Sequence, residues 1–429
     1  MLNNSITAGE NLRIRIPFFS GFQTVSIPRR NVHSVLYPNK VRTGDEAEAV
    51  RASLEDPVNS ESFERFLQER DTLAIVVNDR TRPTPTSRIL DMILPLIGEK
   101  ETQILIATGS HRAPTEAEYK EILGKHYRLF RSRTSHHDDK DSQNLVYLCR
   151  SNLGYDIHVN KLITEADAVI TIGSVEPHYF AGFTGGRKSL VPGVVGHKST
   201  EQNHYHALRK EACPMKLEGN PVHEDLEAIT QKICKEIDIF AINVVTDRHN
   251  RIYSCASGHI IDSFHRLVGP AEDVYSVTIK EKADIVVTVA RPPLDVDLYQ
   301  SQKAIENTKN AVRDKGIMIL VSGCSEGIGQ KAYFDLLSMS STPEEVFAKI
   351  REGYRLGYHK AAKIAETIMM VDLWGVTGLS PEVLKRALIK PFTNTQTAID
   401  SALEDKGSDA RVSFVMDGGM VVPTIGTSD

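Results

Sequence analysis

Two α/β domains with mostly parallel sheets are what this sequence predicts, and three features predict them. Short apolar runs rich in β-branched residues alternate with helical patterns, the mark of strands buried on both faces of a parallel sheet. The rhythm runs once through residues 1–278 and starts again at about 279–283, so the expected domains are 1–278 and 279–429. At 429 residues the chain is also longer than one ordinary domain.

The elements follow in order. Alternation near 13–17 suggests a strand, 60–70 a surface helix and 72–77 (TLAIVV) a strand buried on both faces. A polar loop, Asp79-Arg-Thr-Arg-Pro83, leads to a helix over 87–97. Residues 103–107 are the next strand, and Thr115 with Glu118 has capping-box spacing for the helix after it. Strands are expected at 145–148, 168–172 and 240–245, with a helix over 223–235. In the second half, strands are expected at 283–290, 317–321, 367–371 and 411–416. The helix over 302–313 is joined by others opened by Thr342-Pro-Glu-Glu345 and by Ser380-Pro-Glu382. The last strand, about 411–429, is left open to return to the first domain.

Composition narrows the class. A net charge of −5 gives no basic field for nucleic acid, and no apolar run reaches the ~20 residues of a membrane span. Met1-Leu-Asn-Asn lacks a basic n-region and an h-region, so no signal peptide is expected. The five cysteines are scattered without a CxxC, which argues for a reducing, cytoplasmic setting.

Three loops share one position, just past the carboxyl end of an expected parallel strand, where open α/β sheets bind ligands. The first holds Asp79, Arg80, Thr81 and Arg82; Arg82 can fork onto a carboxylate, and Arg80 and Thr81 can donate to a phosphate near a helix start. The second holds His111. The third, residues 174–193, holds His178, Gly185, Gly186 and Lys188, with His204 further on. Two histidines on separate loops can serve opposite faces of one stereocentre. Lys188, beside two glycines, can approach a cofactor closely and anchor it covalently. His204 can ligate a metal through a neutral imidazole nitrogen. An isolated loop cation or histidine is usually structural or merely solvated; convergence on one sheet edge is what raises these above that reading.

Five segments in order, Asp79-Arg-Thr-Arg-Pro83, Ala107-Thr-Gly-Ser-His-Arg112, Glu176-Pro-His-Tyr-Phe-Ala-Gly-Phe-Thr-Gly-Gly-Arg-Lys188, Asn203-His204 and Tyr299-Gln-Ser-Gln-Lys303, resemble the nickel-pincer-nucleotide lactate racemase family. The resemblance covers roughly residue 70 onward. It implies two Rossmann-like α/β domains with the site in the cleft between them. The implied cofactor is a nickel-bearing pyridinium-3-thioamide-5-thiocarboxylic acid mononucleotide attached covalently to Lys188, with His204 as the nickel ligand. His111 and His178 correspond to the acid/base pair. Asp79 and Thr81 correspond to cofactor-loop residues, and Arg82, Lys303 and Gln300 to the groups around the substrate carboxylate. The implied activity is inversion at C2 of a 2-hydroxy acid by reversible proton-coupled hydride transfer through a 2-keto acid. Cofactor-synthesis proteins would be partners for loading; nucleic acid and membrane are not expected, and a homo-oligomer is left open.

One departure stands out. Where the family's lactate enzyme has a pocket tryptophan, this chain has Leu356-Gly-Tyr-His-Lys-Ala361, placing Tyr358 or His359 there; Trp374 does not match. A more polar wall suits a larger hydroxy acid, malate or a sugar acid, as well as lactate. Two other motifs draw attention. The turn Gly323-Cys-Ser-Glu-Gly-Ile-Gly329 looks like a dinucleotide turn without GxGxxG spacing, and His136-His137-Asp-Asp139 reads as a solvated loop rather than a metal cluster. The rival functions are an NAD-dependent 2-hydroxy acid dehydrogenase, which needs a proper dinucleotide fingerprint, and a non-catalytic nickel-cofactor-binding protein, for which His111 would not matter.

Overall fold

In the computed structural model, which describes residues 11–426, the chain divides into two compact units. One is formed by residues 39–274; the other joins the described residues up to 38 to those from 275 onward.

The 39–274 unit is built on a six-stranded sheet in the order Ile252–Gly258, Ile239–Thr246, Ala168–Ser174, Thr72–Asn78, Glu101–Ala107, Thr134–His136. The last five are mutually parallel and Ile252–Gly258 is an antiparallel edge. The period of two in a strand sends alternate residues to opposite faces. Leu73, Ile75 and Val77 join one core with Ile89, Leu90, Ile93 and Ile97. Ala74 and Val76 join the other with Leu226, Ile229 and Ile233. Those isoleucines and leucines recur at helical spacing along Thr86–Ile97 and Pro221–Ile233, so each helix presents one apolar stripe to the sheet. Pro221–Ile233 starts where it does because Pro221 takes the first helical position and Asn220 accepts from Val222 N (3.1 Å) and His223 N (3.3 Å).

The strand order matters for function. From Thr72–Asn78 the chain steps outward to Glu101–Ala107 and Thr134–His136, then returns to lay Ala168–Ser174 on the other side of Thr72–Asn78. That reversal is a topological switch point, where the loops leaving neighbouring strands diverge and open a crevice.

The second unit is built on a six-stranded sheet, all parallel, in the order Lys390–Phe392, Asp372–Thr377, Val312–Ser322, Ala283–Val289, Val412–Val415, Val32–Leu36. Ile16, Val25 and Ile27 from the hairpin Asn11–Phe18/Gly21–Pro28 pack with Val287, Ile319, Trp374, Phe414, Ala398 and Ile399 in one core.

These pairings revise the expected boundary. The chain changes unit at 274/275 rather than 278/279, and the described residues up to 38 belong with the second unit because Val32–Leu36 pairs with Val412–Val415. That last strand pairs with Ala283–Val289, and Val422–Ile425 with Ser276–Ile279, so the C-terminal segment stays in its own unit. Other elements shift too. Residues 145–148 fall in an antiparallel hairpin, Leu145–Arg150 with Asp156–Asn160, outside the parallel sheet. Residues 367–371 end a helix, Tyr358–Met370, and the strand begins at Asp372; methionines are good helix formers, and Met369 and Met370 point to solvent. The helix of 60–70 shrinks to Phe63–Phe66, both phenylalanines being core. The Thr115/Glu118 capping box closes with both bonds. At Thr342 only half of the box forms, since Glu345 accepts from Ser341 N instead.

Asn31 tests the assignment of the N-terminal segment. Its buried amide donates to Ser408 O (2.7 Å) and Ala410 O (2.8 Å), and removing it leaves two carbonyls short of a donor. Asn31→Ala is expected to lower stability by about 1–3 kcal/mol, read in urea by the fluorescence of Trp374, the one tryptophan and a member of that core. An unchanged midpoint would remove the segment from that unit's core.

Candidate active site

The three expected loops leave three adjacent strands of the 39–274 sheet, and hydrogen bonds lock them together. Asp79, just past the strand Thr72–Asn78, is the hub. Its Oδ1 accepts from Thr81 N (3.1 Å) and Thr81 Oγ1 (2.6 Å), and its Oδ2 meets His111 Nδ1 at 2.6 Å. Loop one therefore holds loop two. Thr84 Oγ1 lies 2.7 Å from Ser174 Oγ and donates to Asn78 Oδ1 (2.8 Å), while Arg82 Nη1 faces Glu176 Oε2 at 3.9 Å; these hold loop three. Gly109 N donates to Gly193 O (3.1 Å), closing the triangle.

Asp79 is buried, and burial by itself raises a carboxylic acid. The His111 imidazole, hydrogen bonds from His111 and Thr81, and the charge of Arg82 outweigh that and hold the group down at about 2. The ionised carboxylate at 2.6 Å takes the Nδ1–H of His111, so in the neutral ring the lone pair lies on Nε2, the orientation that makes an imidazole a general base. His178 is held the opposite way. Its Nδ1 accepts from Ala181 N (3.3 Å), so the neutral ring presents Nε2–H. The ring stacks on Tyr179 at 5.0 Å and meets Phe180 edge-on at 4.5 Å.

Phe180 organises the rest of the loop. His204, on the helix His197–Tyr205, meets the same ring at 4.9 Å, and Lys188 Nζ lies 5.5 Å from its centroid. Burial lowers the Lys188 amine well below the usual lysine range, and the neighbouring cations Arg82 and Arg187 lower it further. An uncharged amine is a nucleophile. Next to it, Arg187 is fully buried and held at four points: Nε to His223 Nδ1 (2.9 Å), Nη2 to Ala181 O (3.0 Å) and Phe183 O (3.2 Å), and Nη1 to Gly185 O (3.4 Å). Burial lowers it to about 9, against the raising effect of Glu227, so it remains a cation at neutral pH.

Several expectations change. Gly185 (φ +79°) and Gly186 (φ +47°) are required by the protein itself. A Cβ on Gly185 would sit 2.7 Å from Val175 Cγ2, and one on Gly186 2.6 Å from Phe264 Cβ and 2.7 Å from Ile260 O. Their small size seats the loop on its own strand and helix. Thr81 donates to Asp79 through both its backbone N–H and its hydroxyl, and Arg80 pairs with Glu118, which also receives both Arg112 amines at 2.8 Å. His136-His137 is no solvated loop. His137 is buried, with Nε2 2.9 Å from Val195 O, and His136 Nδ1 lies 2.9 Å from Tyr119 Oη.

Lys303, Gln300 and Tyr358 belong to the other unit. Gln300 and Lys303 are buried on the helix Leu298–Thr308, capped by Asp297, whose Oδ1 accepts from Gln300 N at 2.6 Å. The 323–329 turn braces that helix: Leu298 N donates to Gly327 O and Tyr299 N to Ile328 O (3.1 Å each), while Cys324 N donates to Asp295 O (2.7 Å). Its backbone serves the protein, so the dinucleotide-like look is a packing motif. Tyr358 opens the helix Tyr358–Met370, where His359 Nδ1 lies 2.9 Å from Tyr354 Oη. Gln302 Nε2 donates to Lys360 O (2.8 Å), stitching the two helices.

A carboxylate-held imidazole, a second imidazole of opposite polarity and a buried lysine whose amine is lowered by burial and two neighbouring cations stand together at the switch point of a mostly parallel sheet, a set suited to moving protons on a small molecule. Residues 19–215 match the lactate racemase N-terminal domain and residues 278–423 the lactate racemase C-terminal domain. The chain belongs to the lactate racemase family, and with its homologues it is an isomerase of the racemase kind. It is 28% identical to a lactate racemase of Thermoanaerobacterium thermosaccharolyticum over 95% of this chain and 98% of that one. It is 27% identical to one of Lactiplantibacillus plantarum over 90% and 92%. The structure of the lactate racemase apoprotein from Thermoanaerobacterium thermosaccharolyticum superimposes with a TM-score of 0.87 at 27% identity, over 96% of this chain and all of that one. A Thermotoga maritima protein shares the fold, with a TM-score of 0.71 at 15% identity, over 90% of this chain and all of that one.

The Asp79 pair carries a pH signature. A carboxyl whose folded value is depressed stabilises the fold above its unfolded value of ~3.9 and loses that contribution as pH falls toward 2. The loss amounts to roughly 2 kcal/mol. The stability gap between wild type and Asp79→Asn is expected to narrow as pH falls through this window, measured by denaturant unfolding at each pH. A gap that does not change with acidity would contradict the paired state of Asp79.

Proposed function

We propose that this chain inverts the C2 centre of a 2-hydroxy acid, lactate first among the candidates, using a nickel-pincer nucleotide tethered at Lys188. The observation that carries the reading is the opposed presentation of two histidines at one sheet edge. His111 offers an unprotonated Nε2 because Asp79 takes its Nδ1–H, and His178 offers Nε2–H because Ala181 N–H takes its Nδ1.

The donor set suits the cofactor. Lys188 has the depressed amine that covalent attachment needs, and His204, packed beside the same phenylalanine, offers the imidazole nitrogen that nickel favours. When bound, the group would supply a hydride acceptor for the C2 hydrogen. The residues supply the rest. His111 removes the hydroxyl proton through Nε2, and the resulting imidazolium is stabilised by Asp79 at 2.6 Å. His178 holds the oxygen from its other side through Nε2–H, and in the reverse sense the two exchange duties. Arg82, whose one ion pair among the described residues is the long contact to Glu176, keeps guanidinium donors for a carboxylate fork. Lys303 and Gln300 are assigned to substrate binding and Tyr358 to substrate size selection on the family resemblance. Larger acids, malate or a sugar acid, remain within the proposal because tyrosine and histidine stand where the family's lactate enzyme has tryptophan. Five free cysteines support a reducing cytoplasm, where cofactor-synthesis proteins would load Lys188.

The test is chiral analysis of L-lactate, malate and aldonic acids incubated with protein co-produced with the cofactor-synthesis proteins. Conversion of one enantiomer or epimer to an equilibrium mixture is expected. His111→Ala and His178→Ala should each lower the rate by about 10²–10⁴-fold with lysine tethering intact by mass. Full activity in either variant, or no inversion of any 2-hydroxy acid by loaded protein, would overturn the proposal.

A further inference from the structure

Behind the site lies a second polar cluster. His223 and Glu227 stand one turn apart on the helix Pro221–Ile233, and His265 reaches them from the helix Ile260–Arg266. One ligand atom from each falls within 4.8 Å of the others, the dimensions of a metal site. The hydrogen bonds read differently. Arg187 Nε donates to His223 Nδ1 (2.9 Å), and a guanidinium has no acceptor, so Nδ1 carries the lone pair. The ring proton then sits on Nε2, from which it is donated to Glu227 Oε2 at 2.8 Å. A metal on that nitrogen would need the proton removed, leaving an imidazolate. His265 Nε2 donates to the other oxygen, Glu227 Oε1, at 3.0 Å. Burial raises the Glu227 carboxyl, but the bonds from His223 and His265 outweigh it and keep the group ionised.

The chain of contacts thus runs inward from Glu227 to His223 to Arg187. Arg187 in turn ties Ala181, Phe183 and Gly185 together through their carbonyls and lies flat on Phe264 at 3.9 Å. Lys188 is the next residue. We infer that Glu227 and His223 are positioning residues for Lys188: Glu227 fixes the tautomer of His223, His223 holds the buried Arg187, and Arg187 shapes the loop and sets its charge beside the lysine amine. This is the triad's division of labour, a carboxylate orienting an imidazole, used to hold a cation in place. The charged groups facing Lys188 are Arg82 from loop one and Arg187 from its own loop; those facing His223 are Arg187, Glu227 and His265. The relay rests on Lys188 as the cofactor anchor only for its purpose, because the state of the amine is measurable without cofactor.

The experiment labels the full chain, produced without cofactor-synthesis proteins, with acetic anhydride at a series of pH values and reads each lysine by peptide mass spectrometry. The exposed Lys331 is the internal reference. Wild-type Lys188 is expected to titrate at least about two pH units below an ordinary lysine's ~10.4. In His223→Ala and in Glu227→Ala the midpoint should move by about one unit or more, a tenfold change in labelling rate at pH below both midpoints. His223→Asn, which keeps an acceptor for Arg187 where Nδ1 stood, should stay within about half a unit of wild type. Should His223→Ala fail to fold, Glu227→Ala and His223→Asn carry the comparison alone. Wild-type Lys188 titrating like Lys331, or an unmoved midpoint in both alanine variants, overturns the relay. A relay that behaves as expected in a chain that never takes up cofactor at Lys188 supports this inference and sinks the anchor reading instead.

Discussion

The buried carboxylate of Asp79 is the contact on which the rest of the site depends. An ionised group out of water is costly unless its oxygens are filled, and two donors from Thr81 and one from His111 fill them. Satisfying Asp79 therefore shapes loop one, draws in loop two and sets the tautomer of the histidine in a single arrangement. Loop three joins through Thr84 to Ser174 and through Gly109 to Gly193. Because the three parent strands are adjacent and parallel, all the loops start from one edge, and short polar contacts suffice to merge them.

The same economy recurs one layer further in. Arg187 is a fully buried cation satisfied by three carbonyls and one imidazole, and the counter-charge of Glu227 reaches it through that imidazole. A buried positive charge placed there discourages a second one on Lys188. Gly185 and Gly186 make the arrangement geometrically possible by letting the loop press on Val175, Phe264 and Ile260. The 174–193 loop is thus best understood as a scaffold that carries a buried amine and an imidazole at fixed positions.

Much of this was legible in the residues alone. Continuous β-branched runs such as 72–77 read as doubly buried strands, and the loops after them read as site-bearing, because burial and edge position leave periodic and compositional traces. What was not legible depends on long-range partners. Val32–Leu36 looks like any short strand until Val412–Val415 pairs with it, and 367–371 is apolar enough for either a strand or the end of a helix. Arg187 and His223 gave no signal, since a buried arginine and a helical histidine resemble surface residues until their 2.9 Å contact is seen. For the glycines, sequence shows that a side chain is missing, and only packing shows what fills its place. The turn at 323–329 shows the converse, a ligand-like pattern whose carbonyls at 327 and 328 and amides at 324 and 326 bond its neighbours.

The central claim is that His111 and His178 handle the hydroxyl proton while the C2 hydrogen leaves and returns without reaching water. Racemisation of L-lactate by loaded protein in D2O, followed by mass analysis of the D-lactate formed, tests it most directly. The account predicts product with protium retained at C2. Deuterium at C2 in proportion to turnover would show that a base removes that hydrogen as a proton, and would contradict the proposed roles of both histidines.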